Sequence, residues 1–396
     1  MPARRLSISA ASDRASIAAY ALMLGVGTLV YNVLPVFLGA AADSLALSHG
    51  QTGFLGSAHL LGFGGMPVTT PLWIHRLCRR RVACVASLFS VIAFLSCALC
   101  PTFGVLLVAS VVSGMAGGVL FSLSMLGLGE AQNNERAFAV GQTVAVLLAA
   151  ICVWTMPTLV ILRWGFGGVA LELAAVEFAV ACFAPWFLLT RPRAVDSSGL
   201  PDRTRRSTQL IPVFTAMVGF GFYCLGLAGL WSFLERIGKD AGLSPLVVAN
   251  AFSIDKIMVL LVCVLTLWQA NHLGRRLPLI ISCGGMILAT LMLAAFRGPL
   301  PYIVAVSTFG VFWAYGFPFQ ASIITTADRH GRYASLVPAF IGAGSTMGPV
   351  VAGMAVSDGS YANVYILVSV SCVIGTALLL LPAQLTRTGV SNSLDK

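Results

Sequence analysis

Residues 103–128 read FGVLLVASVVSGMAGGVLFSLSMLGL, a run of 26 residues without a charged side chain. An α-helix rises 1.5 Å per residue and the hydrocarbon core of a bilayer is about 30 Å thick, so about 20 apolar residues are enough to cross it. This stretch is therefore long and apolar enough to form a membrane-spanning helix.

The rest of the chain has the same character. Of its 396 residues, 58% are hydrophobic and 10% are charged, and the mean hydropathy is +0.91. Soluble domains carry about 25% charged residues, so this composition excludes a soluble globular protein. The apolar runs are continuous rather than alternating, which also excludes an outer-membrane barrel. The composition predicts an all-α integral membrane protein.

Gly, Pro and charged residues divide the chain into twelve candidate transmembrane helices. They cover residues 16–40, 51–73, 82–100, 103–128, 137–161, 167–190, 210–234, 244–268, 276–296, 299–325, 333–356 and 361–382. The long hydrophilic connection, RPRAVDSSGLPDRTRRSTQ at 191–209, follows the sixth. We therefore expect an N-terminal six-helix bundle at 1–190, a cytoplasmic linker at 191–209 and a C-terminal six-helix bundle at 210–396.

The distribution of Lys and Arg predicts the orientation. With the N-terminus inside, nineteen of the 24 basic residues lie in cytoplasmic segments and four lie outside, namely Arg163, Arg236, Lys239 and Arg297; Lys256 lies within a span. An excess of basic residues marks cytoplasmic loops. We expect a multi-pass protein of the cytoplasmic (inner) membrane with no cleavable signal and with both termini cytoplasmic. The net charge of +10 then reflects topology and not binding to nucleic acid.

Similar residues recur at one fixed offset of 196 positions. The pairs include Gly114 with Gly310, Gly25 with Gly221, Arg79 with Arg275, Arg80 with Arg276 and Arg136 with Arg332. Each match alone is weak, but together they keep one register through spans and loops. This register predicts two halves related by duplication.

The loop after the second span reads PLWIHRLCRRR at 71–81 and resembles the major facilitator superfamily signature G-x-x-x-D-R-x-G-R-R-R. The loop after span 8 repeats part of it as NHLGRR at 271–276. The resemblance covers essentially the whole chain and implies twelve transmembrane helices in two pseudo-symmetric six-helix bundles. His75 and Asn271 replace the acidic residue of the signature, and Pro71 and Cys78 replace its glycines in the first copy.

In that family the signature loop forms part of an inner latch, so the resemblance implies a gating role for its residues here. They are His75, Arg76, Arg79, Arg80, Asn271, Arg275 and Arg276. A neutral His or Asn still accepts a hydrogen bond but carries less charge than a carboxylate, which predicts a weaker latch. The alternative is that these arginines, with Arg81, only anchor the loop near lipid phosphates.

Two charged residues lie in the middle of span 8, where an isolated charge costs about 2.5 to 3.5 kcal/mol. They are Asp255 and Lys256, and the offset of 196 maps Asp255 onto His59 in span 2. The resemblance implies that both spans border a central cavity. We therefore expect Asp255 and His59 to handle protons, with Lys256 as charge partner or anion contact.

Neighbouring residues point about 100° apart on a helix, so Asp255 and Lys256 are not expected to pair along one face. A static ion-pair network that fixes packing is the alternative to a functional role. Glu172 and Glu177 in span 6 are weaker candidates for function, and Glu235 beside Arg236 is expected to form a solvated pair.

The resemblance also implies that spans 1, 4, 7 and 10 build the solute site. The polar and aromatic candidates there are Asn32, Tyr223, Trp313, Tyr315 and Gln320, the last three within the aromatic segment FWAYGFPFQ at 312–320. An aromatic wall with a few hydrogen-bonding groups suits a planar or amphipathic organic solute. Packing or an interfacial aromatic belt is the alternative.

These observations predict a secondary active transporter that exposes its binding site alternately to the two sides of the membrane. We expect it to be coupled to protons, with a slight preference for an organic acid or aromatic-like solute. The alternatives are a drug-type exporter of hydrophobic compounds and a transporter-like sensor that binds without transporting. The sequence contains no HExxH, GxxxxGK[ST] or GxSxG motif, and its ten Cys and five His are dispersed. We therefore expect no enzyme activity, no metal and no cofactor, and a protein that acts as a monomer in the bilayer.

Overall fold

The computed structural model describes residues 2–74, 76–131, 134–184, 188, 210–269, 276–327, 337–357 and 359–391. In these ranges the chain forms α1 (Pro2–Leu45), α2 (His49–Trp73), α3 (Arg79–Leu99), α4 (Phe103–Gly129), α5 (Asn134–Thr155), a π-helical turn (Met156–Val160), α6 (Ile161–Phe183), α7 (Leu210–Asp240), α8 (Pro245–Gln269), α9 (Arg276–Ala295), α10 (Pro299–Ala327), α11 (Val337–Ala355) and α12 (Ala362–Ser391). The only β pairing within the described residues is an isolated bridge between Ser357 and Ser360. The predicted all-α membrane fold is confirmed.

Nine helical stretches of the described chain are long and apolar enough to cross a membrane. One of them, Val140–Phe183, runs through α5, the π-helical turn and α6, and α11 contributes a shorter apolar helix at Ala339–Ala355. The helix α2 is not among the nine. The number of membrane crossings therefore stays a prediction at twelve.

Two compact units, Met1–Ala194 and Val195–Lys396, make up the chain. The boundary falls inside the 191–209 segment, whose own structure lies outside the described residues. Each unit has a buried core of its own. In unit 1 the core includes Tyr20, Met23 and Leu120, and in unit 2 it includes Met217 and Phe220.

Glycines allow the helices of unit 1 to cross with their backbones in contact. A methyl group at Gly114 of α4 would overlap the carbonyl oxygen of His59 in α2, and one at Gly62 of α2 would overlap the carbonyl oxygen of Val111. Small residues at such crossings let helices approach closely in a membrane, where apolar side chains give little drive to associate. This crossing places His59 directly against α4.

The helices of unit 2 cross in the same manner. In α11, a methyl group at Gly344 would overlap the backbone of Gly221 in α7, and Gly348 lies against the carbonyl oxygen of Leu225. Gly375 of α12 packs on the same helix, against the carbonyl oxygen of Gly219. The helix α7 is therefore the central packing element of unit 2.

A capping box fixes the start of α2. The Ser48 hydroxyl accepts from the backbone N–H of Gln51 at 3.2 Å, and the Gln51 side chain accepts from the backbone N–H of Ser48 at 3.0 Å. Both bonds satisfy donors that the first helical turn leaves free. The cap fixes the first turn of α2 and therefore the position of His59 along the helix axis.

Substitution of Gly62 by Ala should destabilise unit 1, because its methyl group would meet the α4 backbone, which cannot move aside cheaply. Overpacking of this kind costs about 1–3 kcal/mol. The measurement is the Tm of the purified protein in detergent. Gly65→Ala, three residues further along the same helix, is the matched control because nothing lies within 4 Å of a methyl group there. Equal Tm values for the two variants would contradict a backbone contact at Gly62.

Candidate functional site

Asp255 and Lys256 form a buried ion pair in α8. The Lys256 Nζ lies 3.3 Å from Oδ2 of Asp255, and the two side chains are 2% and 1% exposed, respectively. The expectation that these neighbours do not pair along one helix face was wrong, and the ion pair fits the other expectation for Lys256, that of a charge partner. The long lysine side chain bends back to the carboxylate although the two Cβ atoms point in different directions, because a buried charge without a partner costs more than the bend.

An aromatic side chain of α7 provides a second partner for the lysine. The Lys256 Nζ lies over the ring of Trp231, 4.4 Å from its centroid. Phe309 of α10 stacks on that ring at 6.3 Å, and Phe252 meets it edge-on at 5.5 Å. A cation over an indole face is attracted by the ring quadrupole, and the attraction increases when water is absent. The ammonium group is therefore held between a carboxylate and an aromatic cluster.

The Asp255 carboxylate is packed against α10 at a position without a side chain. A methyl group at Gly310 would overlap Oδ1 of Asp255. Within the described residues Oδ1 has no hydrogen-bond partner. Buried polar oxygens are nearly always satisfied, so this atom is one of the places in unit 2 where a proton or a bound polar group can be accommodated.

His59 of α2 is 2% exposed and contacts α4 through a serine. Its Nδ1 lies 3.3 Å from the Ser113 hydroxyl, which donates in turn to the carbonyl oxygen of Ser110 at 3.2 Å. In the tautomer in which the serine proton is used in that bond, Nδ1 is the donor and carries the hydrogen of the neutral ring. Nε2 then holds a lone pair, and it has no partner among the described residues. This nitrogen is the ring's available proton acceptor.

The offset of 196 positions found in the sequence also relates these two sites. His59 lies at the crossing of α2 with Gly114 of α4, and Asp255 lies at the crossing of α8 with Gly310 of α10. His59 belongs to unit 1 and Asp255 to unit 2. Their predicted approach in one central cavity stays a prediction.

Two of the candidate solute contacts, Asn32 and Tyr223, differ in burial and in their hydrogen bonds. Asn32 of α1 is half-buried, and its amide nitrogen donates to the carbonyl oxygen of Thr28 at 2.9 Å. Tyr223 of α7 is 1% exposed, and its hydroxyl lies 2.7 Å from that of Ser282, which donates to the carbonyl oxygen of Phe312 at 2.7 Å. Tyr223 therefore joins α7, α9 and α10, a contact that also serves packing.

The aromatic segment of α10 contains one side chain with unused hydrogen-bonding capacity. Gln320 is 1% exposed, and neither its amide nitrogen nor its amide oxygen has a partner in the described part of the chain. Tyr315 is buried against Phe319, with ring centroids 5.5 Å apart, while Trp313 is half-buried and has an interaction partner. Of this segment, Gln320 is the residue whose burial is explained least by packing.

The arginines of the first signature loop differ in burial. Arg79 is 9% exposed and makes two hydrogen bonds of 2.7 Å to the carboxylate of Glu130, the residue that ends α4. Its Nη1 also lies 3.4 Å from the Tyr20 hydroxyl of α1. Such paired contacts are the strong form of an arginine–carboxylate interaction. Arg79 therefore joins α1, α3 and α4 within unit 1, and a gating role for it stays a prediction.

The other loop residues fit the alternative of membrane anchors, or lie outside the described chain. Arg76 and Arg81 are exposed, and Arg80 is half-buried, as is Arg276 at the start of α9. His75, Asn271 and Arg275 lie outside the described residues. Glu130, the partner of Arg79, was missed by the sequence analysis, although an acidic residue directly after an apolar span is a signal that could have identified it.

Two carboxylates of α6 are each bonded to a hydroxyl group of a neighbouring helix. Glu177, 2% exposed, accepts from Ser90 of α3 at 3.1 Å, and Glu172 accepts from Thr155 at the end of α5 at 2.5 Å. Each bond joins α6 to another helix of unit 1. Oε2 of each carboxylate has no hydrogen-bond partner among the described residues, so these bonds join the helices without using all the acceptor capacity of either residue.

Comparisons with known proteins agree on one architecture. The sequence model of the Major Facilitator Superfamily matches residues 18–328. Among solved structures, the chain is similar to the nucleoside transporter NupG (15% identity, 92% of this chain and 98% of that chain, TM-score 0.68) and to a D-xylose-proton symporter (14%, 93% and 96%, TM-score 0.71). It is also similar to the human organic anion transporter MFSD10 (16%, 93% and 99%, TM-score 0.63). A search of curated protein sequences finds no match.

The contact between Arg79 and Glu130 should couple the ends of α3 and α4. Removing either charge, in Arg79→Gln or Glu130→Gln, should cost about 2 kcal/mol or more because the other charge is left without its partner. The double variant should lose less than the sum of the two, as measured by the Tm of the purified proteins. Arg81→Gln, in the same helical turn but exposed, serves as the control and should change Tm little. Strictly additive losses would show that the two groups do not interact.

Proposed function

The chain belongs to the Major Facilitator Superfamily, and we propose that this transporter moves a small organic solute across the cytoplasmic membrane by alternating access, coupled to protons. Membership identifies a multi-pass membrane transporter and not an enzyme. The proposal retains twelve spans, both termini in the cytoplasm and a monomer as the working unit.

The observation that carries the proposal is the buried carboxylate of Asp255, whose Oδ2 forms the ion pair with Lys256 and whose two oxygens have no hydrogen-bond partner among the described residues. While Asp255 is ionised, the pair is neutral overall. At 3.3 Å and an effective dielectric constant of about 20, the attraction is about 5 kcal/mol. A proton on Asp255 removes that attraction and leaves the ammonium of Lys256 uncompensated.

An anionic solute restores the balance of charge. When Asp255 holds a proton, the partner left to Lys256 among the described residues is the Trp231 ring, and a solute carboxylate can take the place of the lost counter-charge. Proton and solute then favour each other's binding, which is the thermodynamic requirement for coupled transport. This argument supports the preference for an organic acid.

His59 supplies a second proton acceptor, in unit 1. Its Nε2 is buried without a partner in the described chain, and Ser113 fixes the ring orientation through Nδ1. A histidine is the side chain whose charge changes most readily near neutral pH. We assign His59 to proton transfer together with Asp255, and the amide groups of Asn32 and Gln320 to orienting the solute, with the aromatic residues Tyr223, Trp313 and Tyr315 as additional candidate contacts.

The similar structures support this range of solutes without selecting one. By their names, they transport nucleosides, D-xylose with a proton, and organic anions. Thermal-shift screening of the purified protein against organic acids, nucleosides and sugars would provide a solute for flux measurements in liposomes. Binding without flux would favour the sensor alternative.

Neutralising the carboxylate should uncouple the transporter. In liposomes with an imposed proton gradient, Asp255→Asn should abolish accumulation of the solute above its external concentration, while exchange of solute for solute continues. Asn keeps the size of the side chain but cannot be protonated in this range. Asp43→Asn, which changes an exposed carboxylate at the end of α1, is the charge-matched control.

A loss of folding has to be separated from a loss of coupling, because Asp255→Asn leaves Lys256 buried without its counter-charge. The double variant Asp255→Asn/Lys256→Met removes both charges and should recover the Tm but not the uphill transport. If Asp255→Asn and His59→Ala proteins both still concentrate solute, proton coupling lies at other residues.

The glycine beside the carboxylate should matter for transport as well. Gly310→Ala places a methyl group on the position of Oδ1 and displaces the reacting group, so proton-driven uptake should fall about tenfold or more. Gly284→Ala is the control, since nothing lies within 4 Å of a methyl group at that position. Uptake by the Gly310→Ala protein equal to that of the control would show that the placement of Asp255 against α10 has no role in coupling.

A further inference from the structure

A cavity of about 350 Å³ lies in unit 2, away from the ion pair of α8. It is enclosed by the end of α7, the connection from α9 to α10, and the chain that enters α12, with lining residues that include Asp240, Phe296, Arg297 and Tyr361. None of its lining residues belongs to the Asp255–Lys256 site. The distribution of basic residues predicts that this end of the unit faces away from the cytoplasm.

Aromatic rings form much of the wall, and hydrogen bonds hold two of them in place. The Tyr302 hydroxyl donates to the carbonyl oxygen of Leu234 at 2.8 Å, and the Tyr361 hydroxyl donates to Oδ2 of Asp240 at 2.5 Å. A carboxylate oxygen accepts, so the Tyr361 hydroxyl is the donor in this bond. The cavity is thus shaped before any ligand enters it.

Two polar groups of the wall are unused. Arg297 is exposed and has no acidic partner within the described residues. Tyr365 lines the same cavity, and no hydrogen bond of its hydroxyl is seen in the described part of the chain. A guanidinium group and a hydroxyl group without partners are both donors suited to a carboxylate.

The other charged residues near the cavity do not neutralise Arg297. Asp240 is the acidic residue of the wall, and its Oδ2 is occupied by Tyr361. Two further positive charges lie close by: Arg236 is near Tyr361, and Lys239 is in the last turn of α7. The negative charge of Glu235 is near Tyr302, but Glu235 is not one of the lining residues. The lining therefore favours an anion at Arg297.

From this geometry we propose that the cavity is a binding site for a small aromatic carboxylate. The carboxylate pairs with the guanidinium of Arg297 and accepts from the hydroxyl of Tyr365, and the ring lies between the aromatic side chains of the wall. A volume of about 350 Å³ accommodates one small molecule of this class.

The test is binding of benzoate to the full-length protein in lipid nanodiscs, by calorimetry or ligand-observed NMR at pH 7. Benzyl alcohol and benzylamine are the neutral and cationic comparisons and should bind at least tenfold more weakly. Arg297→Gln should weaken benzoate binding at least tenfold, and Tyr365→Phe, which keeps the ring, should weaken it less. Asp240→Asn should bind benzoate at least as tightly as the wild type, because a like charge is removed.

Arg163→Gln is the matched control, since Arg163 is an exposed arginine of unit 1; it should bind benzoate as the wild type does. Benzoate binding that survives Arg297→Gln but is lost in Lys256→Met would place the anion at the α8 ion pair and overturn the proposal. Tighter binding of benzylamine than of benzoate, with that binding lost in Asp240→Asn, would also overturn the proposal. So would the absence of benzoate binding at millimolar concentration. None of these outcomes bears on the uphill transport assay of the Asp255 variants.

Discussion

A charged side chain inside a lipid bilayer has to find its counter-charge within the protein, because neither hydrocarbon nor water is available to stabilise it there. The pairing of Asp255 with Lys256, supported by Trp231, follows from this constraint. So does the close contact of Arg79 with Glu130 at the end of a span. The positions of these charges, more than the apolar surfaces around them, distinguish this bundle from a generic set of membrane helices.

The all-α membrane fold was predictable from the sequence, because hydropathy depends on local composition alone. The offset that related Gly114 to Gly310 also related the two helix crossings at which His59 and Asp255 lie. Partners distant in sequence could not be predicted in this way. Glu130 lies 51 positions from Arg79, and only tertiary packing brings the two together.

Helix geometry argued against the pairing of Asp255 with Lys256, although the sequence analysis also offered Lys256 as a charge partner. The argument from helix geometry considered the directions of the Cβ atoms and neglected the length and flexibility of the lysine side chain. In an apolar environment the energetic cost of an isolated charge outweighs the preferred direction of a side chain. Adjacent opposite charges within a span are therefore better treated as a pair from the beginning.

Backbone contact at the helix crossings has a consequence for how such a protein can diversify. Where Gly62 and Gly114 meet α4 and α2, the spacing of the helices is set by the main chain, which is the same for every amino acid. Side chains elsewhere on these helices can then change without altering the distance between the axes. Substitutions away from the crossing can therefore accumulate while the helices keep their separation.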